Sequence, residues 1–134
     1  MSEITITNKP LVYSCSGCSS VAQMANYLAV KLDREGFAEM SCIAGVGGNV
    51  RKLVKIAQSG RKIIAIDGCP LACAKACLQQ HSLQPEVHIE LTGYGVLKRQ
   101  HEDFNRQQAD EIFEALLKTI RQDNITACTY IPER

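Results

Sequence analysis

Seven cysteines stand out in a chain of 134 residues, and their spacing is regular. Cys15, Cys42 and Cys69 lie 27 residues apart each time (42 − 15 and 69 − 42). Cys15 and Cys18 form a Cys-x-x-Cys pair, a spacing found in metal sites and in thiol redox sites. Cys69, Cys73 and Cys77 recur every four residues, so on a helix Cys73 and Cys77 share one face. Cys128 stands apart near the end of the chain. Reduced cysteines can serve as metal ligands, as reactive thiols or as small buried hydrophobes. An odd number argues against a fully paired disulfide framework.

The elements that must position these residues follow from hydrophobic periodicity. Leu11-Val12-Tyr13 reads as a strand, and Val21, Met24, Ala25, Leu28 and Leu32 then follow helical spacing. Ser19 or Ser20 is the expected cap of that helix and Gly36 its stop. Met40-Ser41-Cys42-Ile43 is predicted as the second strand. Asn49 is expected to cap a helix carrying Val50, Leu53, Val54 and Ala57 and ending at Gly60. Ile63–Ile66 is the most apolar strand. Pro70 suits a first helical position, predicting a helix over 71–80. Val87–Leu91 alternates apolar and polar residues, as an edge strand does. Ala109, Ile112, Phe113, Leu116, Leu117 and Ile120 make the clearest amphipathic helix.

Four strand–helix units predict one α/β domain over 1–134, with a core at about 10–122 and a tail at 123–134. The sheet is expected to be layered, four-stranded and mainly parallel, in the order 2-1-3-4 with flanking helices. Strand three, apolar throughout, belongs in the centre, and strands two and four at the edges. This arrangement sets Cys15, Cys42 and Cys69 at the carboxyl ends of three parallel strands. Ligands bind at that edge of open α/β sheets, where the strand order reverses; here that is between strands one and three. Helix N-termini, which favour thiolates, are expected at the same edge. Six cysteines, Cys15, Cys18, Cys42, Cys69, Cys73 and Cys77, are therefore expected to converge on one pocket.

Neighbouring residues are read more plainly. Gly68 allows a tight turn or a close approach, and Asp67 is expected to shape that turn, with hydrogen bonds to backbone amides of a neighbouring loop as the alternative. Lys75 is a solvated helix lysine that could also offset thiolate charge. Ala44–Asn49 is Gly-rich but lacks both the dinucleotide spacing and the Lys-Ser/Thr of a phosphate loop, so a tight turn that brings Cys42 near the other sulfurs is expected. His81, His88 and His101 are read as structural or solvated. No Ser–His–Asp or paired-carboxylate constellation can be assigned from spacing, and no catalytic residue is predicted.

Composition narrows the class. Fifteen basic and fourteen acidic side chains give a net charge of +1, which provides no footprint for nucleic acid or an anionic membrane. Aromatic residues make up 5%, with no Trp, against a stacking surface for single strands. Residues 10–30 carry no charge, yet Ser14, Ser16, Ser19, Ser20, Gln23 and Asn26 make them too polar for a membrane span. Met1–Thr7 does not read as a signal peptide. A cytoplasmic location with reduced thiols is expected.

Three segments together resemble the DGC-domain family, named for an Asp-Gly-Cys motif. They are Tyr13-Ser14-Cys15-Ser16-Gly17, Cys42-Ile43-Ala44-Gly45-Val46-Gly47-Gly48 and Asp67-Gly68-Cys69-Pro70-Leu71-Ala72-Cys73-Ala74. The resemblance spans about residues 10–95. It implies a zinc-binding protein with four chelating cysteines and no established activity; by motif position these are Cys15, Cys42, Cys69 and Cys73. Cys18 and Cys77 are additions to the family pattern. Four thiolates close a tetrahedral zinc site, whereas three leave a position open for Lewis-acid chemistry. The leading expectation is a small zinc-binding protein in metal handling or regulation, with the metal ion as its partner. The alternatives are an iron–sulfur protein and a thiol redox or sulfur-transfer enzyme using Cys15 and Cys18.

Overall fold

The computed structural model describes residues 9–122. The tail at 123–134, with Cys128, lies outside them. Four strands, β1 (Leu11–Ser14), β2 (Glu39–Met40), β3 (Ile63–Asp67) and β4 (Val87–Glu90), form one sheet in the order β2-β1-β3-β4. Every pairing is parallel, with Leu11 opposite both Glu39 and Ile63, and Ile64 opposite Val87. All residues of β1 and β3 are buried, while β4 alternates buried and half-buried positions. Continuous apolar runs make the centre and an alternating run makes an edge, because only central strands are covered on both faces.

Among the described residues five helices complete the layout: α1 (Ser20–Arg34), α2 (Ile43–Gly47), α3 (Arg51–Ala57), α4 (Cys73–Gln79) and α5 (Arg106–Gln122). A 3₁₀ turn at Leu91–Tyr94 follows β4. Ser19 caps α1, its side chain accepting from Ala22 N at 3.2 Å. The apolar face of α1, including Val21, Met24, Leu28 and Leu32, packs on β1 and β3. The six apolar residues expected on α5 are all buried, and α5 packs against α1. Phe37 and Phe113 meet edge-on in this core, and Tyr27 donates to Asp110 at 2.6 Å across the two helices.

Three elements differ from expectation. Strand β2 stops at Met40, so Cys42 ends no strand; it caps α2 instead, its sulfur accepting from Gly45 N at 3.4 Å. The Gly-rich stretch thus begins as a helix, whose Val46 is fully buried in the core. Asn49 does not cap α3; it takes a left-handed conformation (φ 63°) between α2 and α3, and Val50 holds the cap position without a side-chain bond. Helix α4 begins at Cys73 rather than at Leu71. Ala72 N donates to Cys69 O at 3.1 Å, so Cys69–Ala72 forms a turn before the helix, with Ala72 left-handed at φ 51°. Cys69 is accordingly outside the helix, not its cap.

Candidate thiol site

Cys15 continues the β1–β3 ladder by one bond, its amide donating to Ile66 O at 3.1 Å. Its sulfur accepts from Gly68 N at 3.3 Å. Gly68 lies against the first turn of α1: a Cβ there would stand 2.7 Å from the carbonyl carbon of Val21. The Asp-Gly-Cys segment needs its glycine for this close approach of two backbones. The carboxyl ends of β1 and β3 are thereby drawn together over one small cavity.

That cavity has a volume of about 90 Å³, and Cys15, Cys69 and Cys73 line it together with Asp67, Gly68 and Lys98. The three sulfurs sit in different surroundings. Cys15 is buried, Cys69 half-buried and Cys73 exposed. Burial pushes the Cys15 thiol above its usual range; the Gly68 amide offsets part of this, and the negative charges of Asp67, Cys73 and Cys69 add to it. Cys69 receives the ammonium of Lys98 at 3.4 Å. Lys98 is held there by its neighbour: Arg99 N donates to the Ser20 hydroxyl at 2.9 Å, and Arg99 O accepts from Ser20 N at 2.9 Å.

The remaining cysteines lie around this centre. Cys77, one helical turn beyond Cys73, is half-buried against α2; a Cβ on Gly47 would stand 2.8 Å from its sulfur. Burial raises its thiol first, and Cys73 and Asp67 raise it further. Helix α4 is clamped to the end of α2 by two bonds: Gln80 Nε2 donates to Gly47 O at 3.3 Å, and His81 Nε2 to Val46 O at 2.8 Å. Cys42 is exposed at the start of α2, and Cys18 is exposed in the loop before α1; neither lines the cavity. The expected meeting of six cysteines is thus a group of three, with Cys77 beside Cys73.

Tyr13, also of the first motif, is fully buried, and its hydroxyl has no hydrogen-bond partner among the described residues. Burial raises this phenol and the nearby Arg61 charge offsets part of the effect; Ser41 stands near the hydroxyl but forms no hydrogen bond of normal geometry with it.

The fit to a metal has two sides. The donors around the cavity are thiols, the ligands zinc prefers, at the sheet position where ligands bind. In the present side-chain arrangement, however, no three Cys, His, Asp or Glu groups among the described residues stand close enough to hold a metal ion. The six described cysteines are free thiols.

Sequence reasoning missed two residues here. His88, read as structural or solvated with no partner named, places Nε2 at 2.8 Å from Asp67 Oδ2. The ammonium that meets a cysteine is that of Lys98, where Lys75 was considered. Neither signal is local: Lys98 lies 29 residues from Cys69 and His88 lies 21 from Asp67. Among the described residues no helix is long and apolar enough to cross a membrane.

No solved structure matches the chain. A curated relative, the "Anaerobic and virulence modulator AnvM" of Pseudomonas aeruginosa, is 52% identical over 119 residues, covering 89% of this chain and 91% of the relative. The family model described as DGC domain matches residues 11–116, which takes in β1, the Asp67-Gly68-Cys69 turn and most of α5. The chain belongs to the DGC-domain family.

Proposed function

We propose that the protein is a zinc-binding modulator whose metal centre is built on Cys15, Cys69 and Cys73. The observation that carries this reading is their placement around one cavity at the carboxyl ends of β1 and β3. Cys42 is the fourth ligand by its place in the family pattern, and its cap on α2, clamped to α4, keeps it on an element tied to Cys73. Cys18 and Cys77 are the auxiliary thiols. Binding requires rotation of the exposed Cys42 and Cys73 side chains and loss of the Cys15 proton, so affinity should rise with pH. The Lys98 ammonium offsets the negative charge of a thiolate centre. Bound zinc supplies a closed thiolate centre with four sulfurs, or an open coordination position with three.

A regulatory role accords with the relative's description as a modulator. A reducing compartment such as the cytoplasm suits free thiols. The test is elemental analysis of tag-free protein, wild type and Cys69→Ser, prepared with and without oxygen. About one zinc per chain, lost in the variant, supports the reading. Zinc retained by Cys69→Ser removes Cys69 from the ligand set. Iron with visible colour in the anaerobic preparation replaces zinc with a cluster.

A further inference from the structure

Asp67 is 1% exposed, yet its carboxylate is fully engaged. Oδ1 accepts from Ala74 N at 2.7 Å. Oδ2 accepts from Lys75 N at 3.2 Å and stands 2.8 Å from His88 Nε2. A carboxylate offers only acceptor positions, so the His88 ring nitrogen is the donor. The register explains the contact. Ala65 pairs with His88 and Asp67 with Glu90, so Asp67 and His88 point from the same face of the sheet on adjacent strands.

These bonds compensate a defect in α4. Its cap residue is Ala72, which has no side-chain acceptor and takes a left-handed backbone conformation. The first amides of the helix would otherwise lack partners. Asp67, reaching from the end of β3, caps them in place of a local Ser, Thr, Asn or Asp. Cys73 is the first residue of this helix. The place where its sulfur emerges therefore depends on Asp67, and the orientation of Asp67 depends on His88.

We propose that His88 is a positioning residue for the thiol site: through Asp67 it fixes the start of α4, and with it the place of Cys73. The proposal rests on the cavity being the functional site, but not on the identity of the metal. His88→Gln keeps an N–H donor for Asp67, and His88→Leu keeps bulk without one.

The test uses the reduced, metal-free full chain and two readouts. Backbone amide exchange follows Ala74 and Lys75, with Leu116 in α5 as control. Mass spectrometry follows alkylation of Cys73 relative to Cys18 in the same molecule. His88→Leu is expected to speed exchange at the two α4 amides about five-fold, the effect of losing a helix cap, with Leu116 unchanged. The Cys73 to Cys18 alkylation ratio is expected to change by about two-fold or more, because thiol reactivity follows the surroundings of the sulfur and Cys73 opens the loosened helix. His88→Gln should restore both. Wild-type rates in His88→Leu, or Leu and Gln variants that behave alike, overturn the proposal. If His88→Leu does not fold, Asp67→Asn, which keeps its size but only one acceptor oxygen, decides by the same two readouts: faster α4 exchange with a changed alkylation ratio supports the tether, and wild-type values overturn it. A wild-type protein that takes no zinc sinks the function proposed above and leaves both readouts standing.

Discussion

Cys69 and Cys42 occupy equivalent places in the sequence, each one strand–helix unit after the preceding cysteine, yet the structure treats them differently. Cys69 follows β3, a strand of five buried residues paired on both sides. Cys42 follows β2, an edge strand of two half-buried residues. A central strand carries its chain to the sheet edge, so the turn after it opens onto the cavity between β1 and β3. The short edge strand releases its chain early, and Cys42 becomes a helix cap. Equal spacing along the chain therefore does not give equal position in the sheet; the number of ladder bonds decides how far each strand carries its cysteine.

The largest expected effect comes from the junction that draws β1 and β3 together. Gly68→Ala would set a Cβ 2.7 Å from the Val21 carbonyl carbon, which cannot yield without moving α1. A stability loss of about 1–3 kcal/mol in chemical denaturation is expected, as for overpacked cores. Gly47→Ala, at the end of the helix that Cys42 caps, meets only the side chain of Cys77 and gains helix propensity of about 1 kcal/mol relative to glycine, so the two effects should nearly cancel. Equal losses at both positions would break the contrast between a rigid centre and a yielding flank.

A second prediction concerns reactivity. Cys15 is buried with its thiol raised above the ordinary value of 9.0, whereas Cys18 and Cys42 are exposed. Because the thiolate is the nucleophile, Cys15 should alkylate about ten-fold or more slowly than either at neutral pH. The gap should narrow as the pH rises through and beyond 9.0, where the raised thiol begins to ionise. Site-resolved mass spectrometry at a series of pH values measures both statements. A Cys15 that reacts as fast as Cys18 would show that the cavity is open to reagent and that burial does not set the order of the sulfurs.

The smallest effect is expected at Tyr13, whose buried hydroxyl lacks a hydrogen-bond partner among the described residues. Tyr13→Phe removes an unsatisfied polar group and should leave stability unchanged or raise it by up to about 1 kcal/mol in thermal or chemical unfolding. A loss of more than that amount would show that the hydroxyl supports the β1 side of the site. Zinc content in the same variant should match the wild type.

Much of this molecule was legible in one dimension, for reasons that can be named. The apolar stretches at 11–13 and 63–66 and the alternation at 87–91 each report how many faces of a strand are covered. The sheet order followed from them. Ala109, Ile112, Phe113, Leu116, Leu117 and Ile120 recur at helical spacing and are the residues α5 buries. The cysteine site was legible as far as it depends on strand ends, which is why Cys15 and Cys69 were placed correctly beside each other. Cys42 was misplaced because its strand is terminated by a cap bond from its own sulfur, and no pattern of apolar residues records such a bond. The start of α4 was misplaced because Pro70 suits a helix start in isolation, whereas the chain makes a turn there first.

The amino-acid sequence by itself determined the α/β layout, the strand order and the family, because these rest on periodicity, burial and short motifs that neighbouring residues carry. Which thiols share a cavity was decided only by tertiary structure. So were the reach of Asp67 from one element to the amides of another, the support it receives from His88, and the approach of Lys98 to Cys69. Each of these joins residues from separate elements, and a hydrogen bond or ionic contact over such a distance in sequence exists only after the sheet and helices have packed.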